Sequence, residues 1–159
     1  RFSMEKFTGK KFSEIPGTGA AGGLGFAFLW GLPNVELKPG IDIVLEAVGL
    51  TNELKDADVV VTGEGCLDFQ TAMGKVPVGV AKTAKNYNCK VIAFAGSVTE
   101  EAKNCNEKGI DAFFSILPGV CSLDEAMDTE TAQKNMRNAA EQVFRLILAC
   151  GKEKSSLHP

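Results

Sequence analysis

The amino-acid sequence predicts an α/β fold that is built on a parallel sheet. From about residue 56 onward, short apolar runs alternate with segments that carry helix signals. Three of these runs, residues 58–62, 90–95 and 112–117, have the length and the apolar content of buried strands. Because strands that alternate with helices are joined by right-handed crossovers, they pair in parallel and end at one edge of the sheet.

The helices are predicted from their start signals and their apolar spacing. Residues 77–86 begin with a proline, which suits a first helical turn because its missing N–H would have no helical partner there. A serine stands three residues before a glutamate at 97–100 and again at 122–125, and this capping-box pattern predicts a helix start at each place. A last helix is predicted over 129–150, with one apolar face that covers the sheet: Met136, Ala140, Val143, Ile147 and Cys150.

The first fifty residues differ in character. A glycine-rich run at 17–25 formally matches G-x-G-x-x-G, but the lysines and proline of residues 10–16 do not supply the buried strand that a dinucleotide fingerprint requires. A dinucleotide-dependent oxidoreductase is therefore disfavoured. The run opens an apolar helix predicted over 24–30, where its glycines either present backbone N–H groups to an anion or allow close packing. An amphipathic helix is predicted over 41–48, extended or restarted near 51–53.

Composition narrows the function further. The chain has 159 residues, 45% of them hydrophobic, and a net charge of −3, so it has no electrostatic footprint for nucleic acid or an anionic membrane. No apolar stretch reaches the roughly 18 residues of a membrane span and no signal peptide is recognised, which predicts a cytoplasmic protein. The five cysteines lack C-x-x-C spacing and are predicted to be reduced. The start at Arg1 suggests a piece of a longer protein.

Residues 62–77 hold the densest chemistry in the chain. They follow a buried strand and contain two carboxylates, an amide, a lysine and three glycines ahead of a helix. Such groups at the carboxyl end of a strand are what a ligand site in an α/β sheet requires. A phosphate-binding P-loop is excluded, because Phe69 stands where a glycine is needed and Val76 where Ser or Thr would hold magnesium. Taken alone, the segment predicts a site for an anionic or phosphorylated ligand.

Five segments, in fixed order, carry a resemblance to a known family. They are residues 17–25, 37–42, 62–77, 95–97 and 109–119. Together they resemble the carboxyl-terminal part of the glycerate kinase type I family, and the resemblance extends from about residue 12 to residue 148.

The resemblance implies an ATP-dependent phosphotransferase that acts with Mg²⁺ on a hydroxyl of D-glycerate; whether the 2- or the 3-hydroxyl is phosphorylated stays open. It also implies a Rossmann-like (flavodoxin-like) parallel-sheet half-domain with helices on both faces. Residues 1–51 would be the end of an inserted second domain, 52–150 the βαβαβ part and 151–159 a flexible tail. Such a fragment is expected to be inactive alone and to self-associate through its incomplete sheet. The alternative is a non-catalytic nucleotide- or metabolite-binding α/β domain.

Site residues follow from the same resemblance. Asp68 would orient or deprotonate the glycerate hydroxyl, Lys75 would neutralise phosphate oxygens, and Glu64 would hold Mg²⁺ directly or through water. Cys66 stands where the family usually has an arginine, whose bidentate fork a thiol cannot replace. The remaining positions expected to bind substrate or nucleotide are Gly17, Gly19, Gly22, Gly23, Gln70, Thr71 and Ser97.

Overall fold

The structure is a computed structural model, and it describes residues 11, 12 and 14–152. The described residues divide into two compact units, one that ends at Val48 and one that begins at Gly49. That the first belongs to an inserted domain stays a prediction. Of the tail, residues 151 and 152 continue the last helix, and residues 153–159 lie outside the described part. Within that part, no helix combines the length and the apolar character that a membrane crossing needs.

The first unit is a glycine-rich turn followed by two helices. A short 3₁₀ turn, Ala20–Gly23, leads into α1 (Leu24–Gly31), and α2 spans Gly40–Ala47. Both helices were predicted from the sequence, and both predictions are confirmed within one residue at each end.

The glycines of this turn and of the start of α1 have two different structural roles. A Cβ on Gly25 would lie 2.6 Å from the carbonyl oxygen of Gly17, so only glycine allows the turn to pack against α1. Beside this contact the Phe26 N–H donates to the carbonyl of Thr18 at 3.2 Å. Gly22 and Gly23, in contrast, have φ of 69° and 100° and face open space.

The second unit alternates helices with strands, as the sequence predicts. Its elements are α3 (Leu50–Glu53), a 3₁₀ turn (Leu54–Asp56), β1 (Val59–Leu67), α4 (Phe69–Ala72), α5 (Val76–Lys85), β2 (Lys90–Val98), a 3₁₀ helix (Glu100–Lys108), β3 (Ala112–Ser115), α6 (Leu123–Met127) and α7 (Thr129–Lys152).

The three strands form one parallel sheet in the order β1-β2-β3, which confirms the predicted pairing. β1 and β2 run several residues past their predicted ends, and Leu67 still pairs with Val98. The apolar signal ends at Thr62, but the ladder continues because backbone hydrogen bonding does not depend on the side chains. At the level of Glu64 the partners are Ala95 of β2 and then Ser115 of β3.

Helices cover both faces of the sheet, and the predicted α/β class is confirmed. Side chains of β2 alternate between the faces. On one face Ile92 and Phe94 pack with Val143 of α7. On the other face α5 and the 3₁₀ helix complete a buried cluster that contains Val78, Ala81, Ala84, Val91, Ala93, Ala95, Ala102 and Cys105.

Only part of α7 lies on the sheet. Ala140 and Val143 pack against it as predicted, but Met136 and Ile147 are 38% and 37% exposed, and Cys150 is exposed. A helix of 24 residues is about 36 Å long, whereas β3 has only four residues, so the ends of the apolar face extend past the described strands.

One of the two predicted capping boxes is present. The Ser122 N–H donates to Oε2 of Glu125 at 2.8 Å, and the Glu125 N–H donates to Oγ of Ser122 at 3.3 Å. The prediction of a helix start at Ser97 is wrong. Ser97 pairs with Cys66 inside the sheet, and the helix that follows is a 3₁₀ helix capped at Thr99 without a side-chain cap bond.

Candidate functional site

A network of polar side chains closes the carboxyl end of β1. Asp68 is the N-cap of α4, and its Oδ1 accepts the Thr71 N–H at 3.0 Å. In return the Asp68 N–H donates to Oγ1 of Thr71 at 3.2 Å. This reciprocal pair fixes the direction in which the chain leaves the strand.

Thr71 links Asp68 to Glu64. Its side chain is fully buried, and its hydroxyl donates to Oε1 of Glu64 while accepting the Asp68 N–H. A hydroxyl carries one proton and two lone pairs, so this single group can do both. That Thr71 contacts a ligand stays a prediction. The structure places its hydroxyl inside the protein, between two carboxylate side chains.

Lys75 completes the network from the solvent side. Its Nζ lies 3.5 Å from Oδ1 of Asp68, and the side chains of Lys75 and Asp68 are 40% and 25% exposed. The backbone N–H of Thr71 lowers the pKa of the Asp68 carboxyl most, and the Lys75 ammonium adds to this, while partial burial opposes both. Asp68 is therefore ionised at neutral pH. Its ionised form stabilises the fold above the ordinary aspartate pKa, and this contribution is lost as the pH falls through the lowered value.

The 3₁₀ helix brings two further groups to this network that sequence reasoning missed. Cys105 is fully buried, and burial raises the pKa of its thiol, with the negative charges of Glu64 and Asp68 acting in the same direction. Glu101 lies close enough to Asp68 for the two charges to repel, although the pKa of Glu101 is lowered, chiefly by its hydrogen bond with Thr99. No sequence signal identified either residue, because their approach depends on how the 3₁₀ helix packs.

The other predicted site residues of this unit lie around the network. Gln70 is exposed on α4, and Ser97 is exposed in β2 opposite the half-buried thiol of Cys66. All three therefore lie at the carboxyl ends of β1 and β2, the sheet edge that the sequence predicted.

The predicted glycines lie in the first unit. Gly19, Gly22 and Gly23 line a cavity of about 430 Å³ together with Phe26 at the start of α1. Gly17 does not line it and instead approaches the side chain of Leu37. Of the two alternatives for this run, close packing is observed at Gly25. Anion binding by the open backbone at 22 and 23 stays a prediction.

The carboxylates fit a partial magnesium site. Among the described residues, no three Asp, Glu, Cys or His side chains are grouped as a complete metal site. Mg²⁺ bound with a nucleotide is commonly held by one or two carboxylates, with waters and phosphate oxygens as its other ligands. Glu64 and Asp68, joined through Thr71, meet that smaller requirement.

Removing the Thr71 hydroxyl should disturb the network without changing its volume. In Thr71→Val, the Asp68 N–H and the Glu64 carboxylate lose a partner, so we expect the free energy of unfolding to fall by about 1–3 kcal/mol. Thr71→Ser keeps the hydroxyl and should recover most of this. Urea unfolding of the wild type and both variants measures the difference, and equal stability of the valine variant and the wild type would refute the bridging role.

Comparisons with known proteins identify the family of this chain. Residues 2–148 match the family described as the glycerate kinase family. Glycerate kinase of Bacillus subtilis strain 168 is 47% identical over 143 residues, which are 90% of this chain and 37% of that protein. Glycerate 2-kinase of Escherichia coli K12 is 48% identical over 113 residues, which are 71% of this chain and 29% of that protein.

A solved structure agrees. The crystal structure of a protein designated glycerate kinase 2 from Salmonella typhimurium LT2 superposes with a TM-score of 0.66 at 39% identity, over 94% of this chain and 37% of that one. The chain thus spans little more than a third of the length of the relatives it matches. It belongs to the glycerate kinase family.

Proposed function

We propose that this chain is the carboxyl-terminal part of a glycerate kinase, which transfers the γ-phosphoryl group of ATP to a hydroxyl of D-glycerate with Mg²⁺. The observation that carries the proposal is the network of Glu64, Thr71, Asp68 and Lys75 at the end of β1, in a chain of this family. Because the reaction consumes ATP, the proposal includes a cytoplasmic location.

Phosphoryl transfer depends mainly on positioning and on neutralising charge, and the network supplies groups for both. Asp68 is ionised, so its carboxylate can accept a hydrogen bond from the glycerate hydroxyl and orient it for attack. Its lowered pKa makes it a weak base, which favours orientation over early proton removal. Lys75 is partly exposed beside it and would neutralise phosphate oxygens.

Glu64 would hold magnesium, and the Asp68 carboxylate lies beside that of Glu64 across Thr71. The metal would neutralise the charge on the phosphate oxygens. Thr71 would keep both carboxylates in place before any ligand arrives. Gln70 and Ser97 are exposed at the same sheet edge and would hydrogen-bond the substrate or the nucleotide. Cys66, where the family usually has arginine, would leave anion binding to the remaining bases.

The glycine turn would bind the anionic end of a substrate. Gly22 and Gly23 are in the left-handed region beside a cavity, at the start of the eight-residue helix α1. The N–H groups of Leu24 and Phe26 already donate to the carbonyls of Ala20 and Thr18, so the attraction for negative charge would come from the helix dipole. Among the groups in this reaction, the glycerate carboxylate and the nucleotide phosphates have that charge.

Product analysis tests the proposal directly. The full-length protein that carries this chain is incubated with ATP, Mg²⁺ and D-glycerate, and ³¹P NMR identifies 2- or 3-phosphoglycerate. Formation of either supports the proposal and also shows which hydroxyl reacts. If the protein binds ATP but forms no phosphoglycerate, the non-catalytic nucleotide-binding alternative is favoured instead.

We expect the 159-residue chain by itself to fold in large part, to self-associate and to lack kinase activity. Within the described residues β1 pairs only with β2, so its other edge offers unpaired backbone groups, and Val61 beside it is 49% exposed. A site without its remaining groups cannot hold both substrates, and a displacement of about 1 Å already costs roughly a hundredfold in rate. Light scattering measures the mass and ADP release measures turnover. A monomer with the full-length rate would contradict both parts.

A further inference from the structure

The connections of the sheet diverge between β2 and β3. The chain leaves β2 for the 3₁₀ helix, which packs on the same face as α5, and it leaves β3 for α7 on the opposite face. Ligands of open α/β sheets commonly bind outside the carboxyl ends of the strands. The network around Asp68 lies at the carboxyl end of β1, two strands away from β3.

Two adjoining cavities border α7 at the carboxyl end of β3. One, of about 210 Å³, is bordered by Ser115 at the end of β3, by residues 116–118 after it, and by Asn138 and Gln142 of α7. The other, of about 370 Å³, continues toward α6, and Pro118 and Asn135 border both. We call the two together the β3 groove.

The walls of the β3 groove suit a flat, uncharged heterocycle. Ile116, Leu117 and Ala139 provide apolar surface. Glu125 is the single charged side chain among the described lining residues, and it is acidic, so a phosphate group is disfavoured at that end.

Three carboxamide side chains narrow the chemical class of ligand that the β3 groove could bind. Asn135, Asn138 and Gln142 have no hydrogen-bond partner for their side chains within the described part of the chain. Each carboxamide offers a donor and an acceptor side by side. That pair matches the amino group and the adjacent ring nitrogen of adenine.

We infer that the β3 groove binds the adenine nucleoside part of ATP, with the phosphates directed across the sheet edge toward Asp68 and Lys75. The inference rests on the proposed use of ATP and adds where the nucleotide lies. Ser115 stands at the same level as Glu64, two strands away, which corresponds to about 9.6 Å. A triphosphate chain attached to a ribose in the β3 groove spans that separation.

The carboxamides can be tested one at a time in the full-length protein. Asn135→Ala, Asn138→Ala and Gln142→Ala each remove one, and alanine favours the helix, so α7 is kept. Gln133→Ala is the matched control, an exposed amide of the same helix that does not border the groove. Calorimetry measures binding of Mg·ADP, and steady-state assays give KM for ATP and D-glycerate.

We expect at least one groove variant to weaken Mg·ADP binding and raise KM for ATP about tenfold, with KM for D-glycerate and the Gln133 control unchanged. If the wild type forms phosphoglycerate and all three variants bind Mg·ADP as tightly as it does, the groove assignment is overturned and the kinase proposal stands. If binding depends on the carboxamides but no phosphoglycerate forms, the groove stands and the kinase proposal fails. A wild type that neither binds Mg·ADP nor phosphorylates glycerate overturns both.

Discussion

Replacing Asp68 with asparagine should lower kcat for glycerate phosphorylation by about 10²-fold, the loss expected when a group that orients the reacting hydroxyl is removed. Asparagine keeps the shape and can still accept the Thr71 N–H, now 3.0 Å from Oδ1. It has no negative charge to hold the hydroxyl or to attract Lys75, which lies 3.5 Å away. The loss should therefore appear in turnover more than in folding.

Steady-state kinetics of the full-length protein, together with its melting temperature, separate these effects. Asp56→Asn is the control, because Asp56 is exposed before the amino end of β1, away from the proposed site. The same substitution there should leave kcat unchanged. An Asp68→Asn protein with wild-type kcat would remove Asp68 from the mechanism.

Gly63→Ala should destabilise the sheet strongly. A Cβ at this position would lie 2.3 Å from the carbonyl oxygen of Phe94, in the buried middle of β2. Neither backbone can yield without breaking the β1-β2 ladder, so we expect the free energy of unfolding to fall by about 3 kcal/mol, the upper end of what overpacking costs. A bound ligand would not remove the clash between this Cβ and the Phe94 carbonyl.

The neighbouring Gly65 provides a matched control. It is in the same strand, and a Cβ built on it meets no atom within 4 Å. Gly65→Ala should change the free energy of unfolding by less than about 1 kcal/mol, as a strand glycine without close contacts does. Chemical denaturation of both variants measures the contrast. Similar losses at 63 and 65 would show that the close approach to Phe94 does not limit the sheet.

Gly63 and Gly65 belong to a segment whose sequence is polar and glycine-rich but whose backbone is a strand. The approach of Gly63 to Phe94 shows why a glycine stands in the sheet and not only in the loop after it. The end of this strand positions Glu64 and Asp68 so that Thr71 forms hydrogen bonds with both. Gly63 and the proposed site around Asp68 thus belong to the same end of β1.

The sequence by itself determined the features that depend on local or strongly repeated signals. Apolar runs separated by helix signals are enough for a parallel α/β sheet, because each strand and each crossover carries its own pattern. The capping box of Ser122 with Glu125 was predictable because its hydrogen bonds join residues three apart. Several motifs in fixed order were enough for the family, which the comparisons confirm.

Only the tertiary structure decided which of these signals prevails where they compete. Ser97 carries the same local capping pattern as Ser122, yet it pairs with Cys66 because the β1-β2 ladder extends to that position. Thr71 is buried between Glu64 and Asp68, and Cys105 comes beside them from a helix more than thirty residues further along the chain. The β3 groove likewise needs α7 to return to the opposite face. Such contacts join residues far apart in sequence, so no local pattern encodes them, and burial and backbone pairing decide them only once the sheet is assembled.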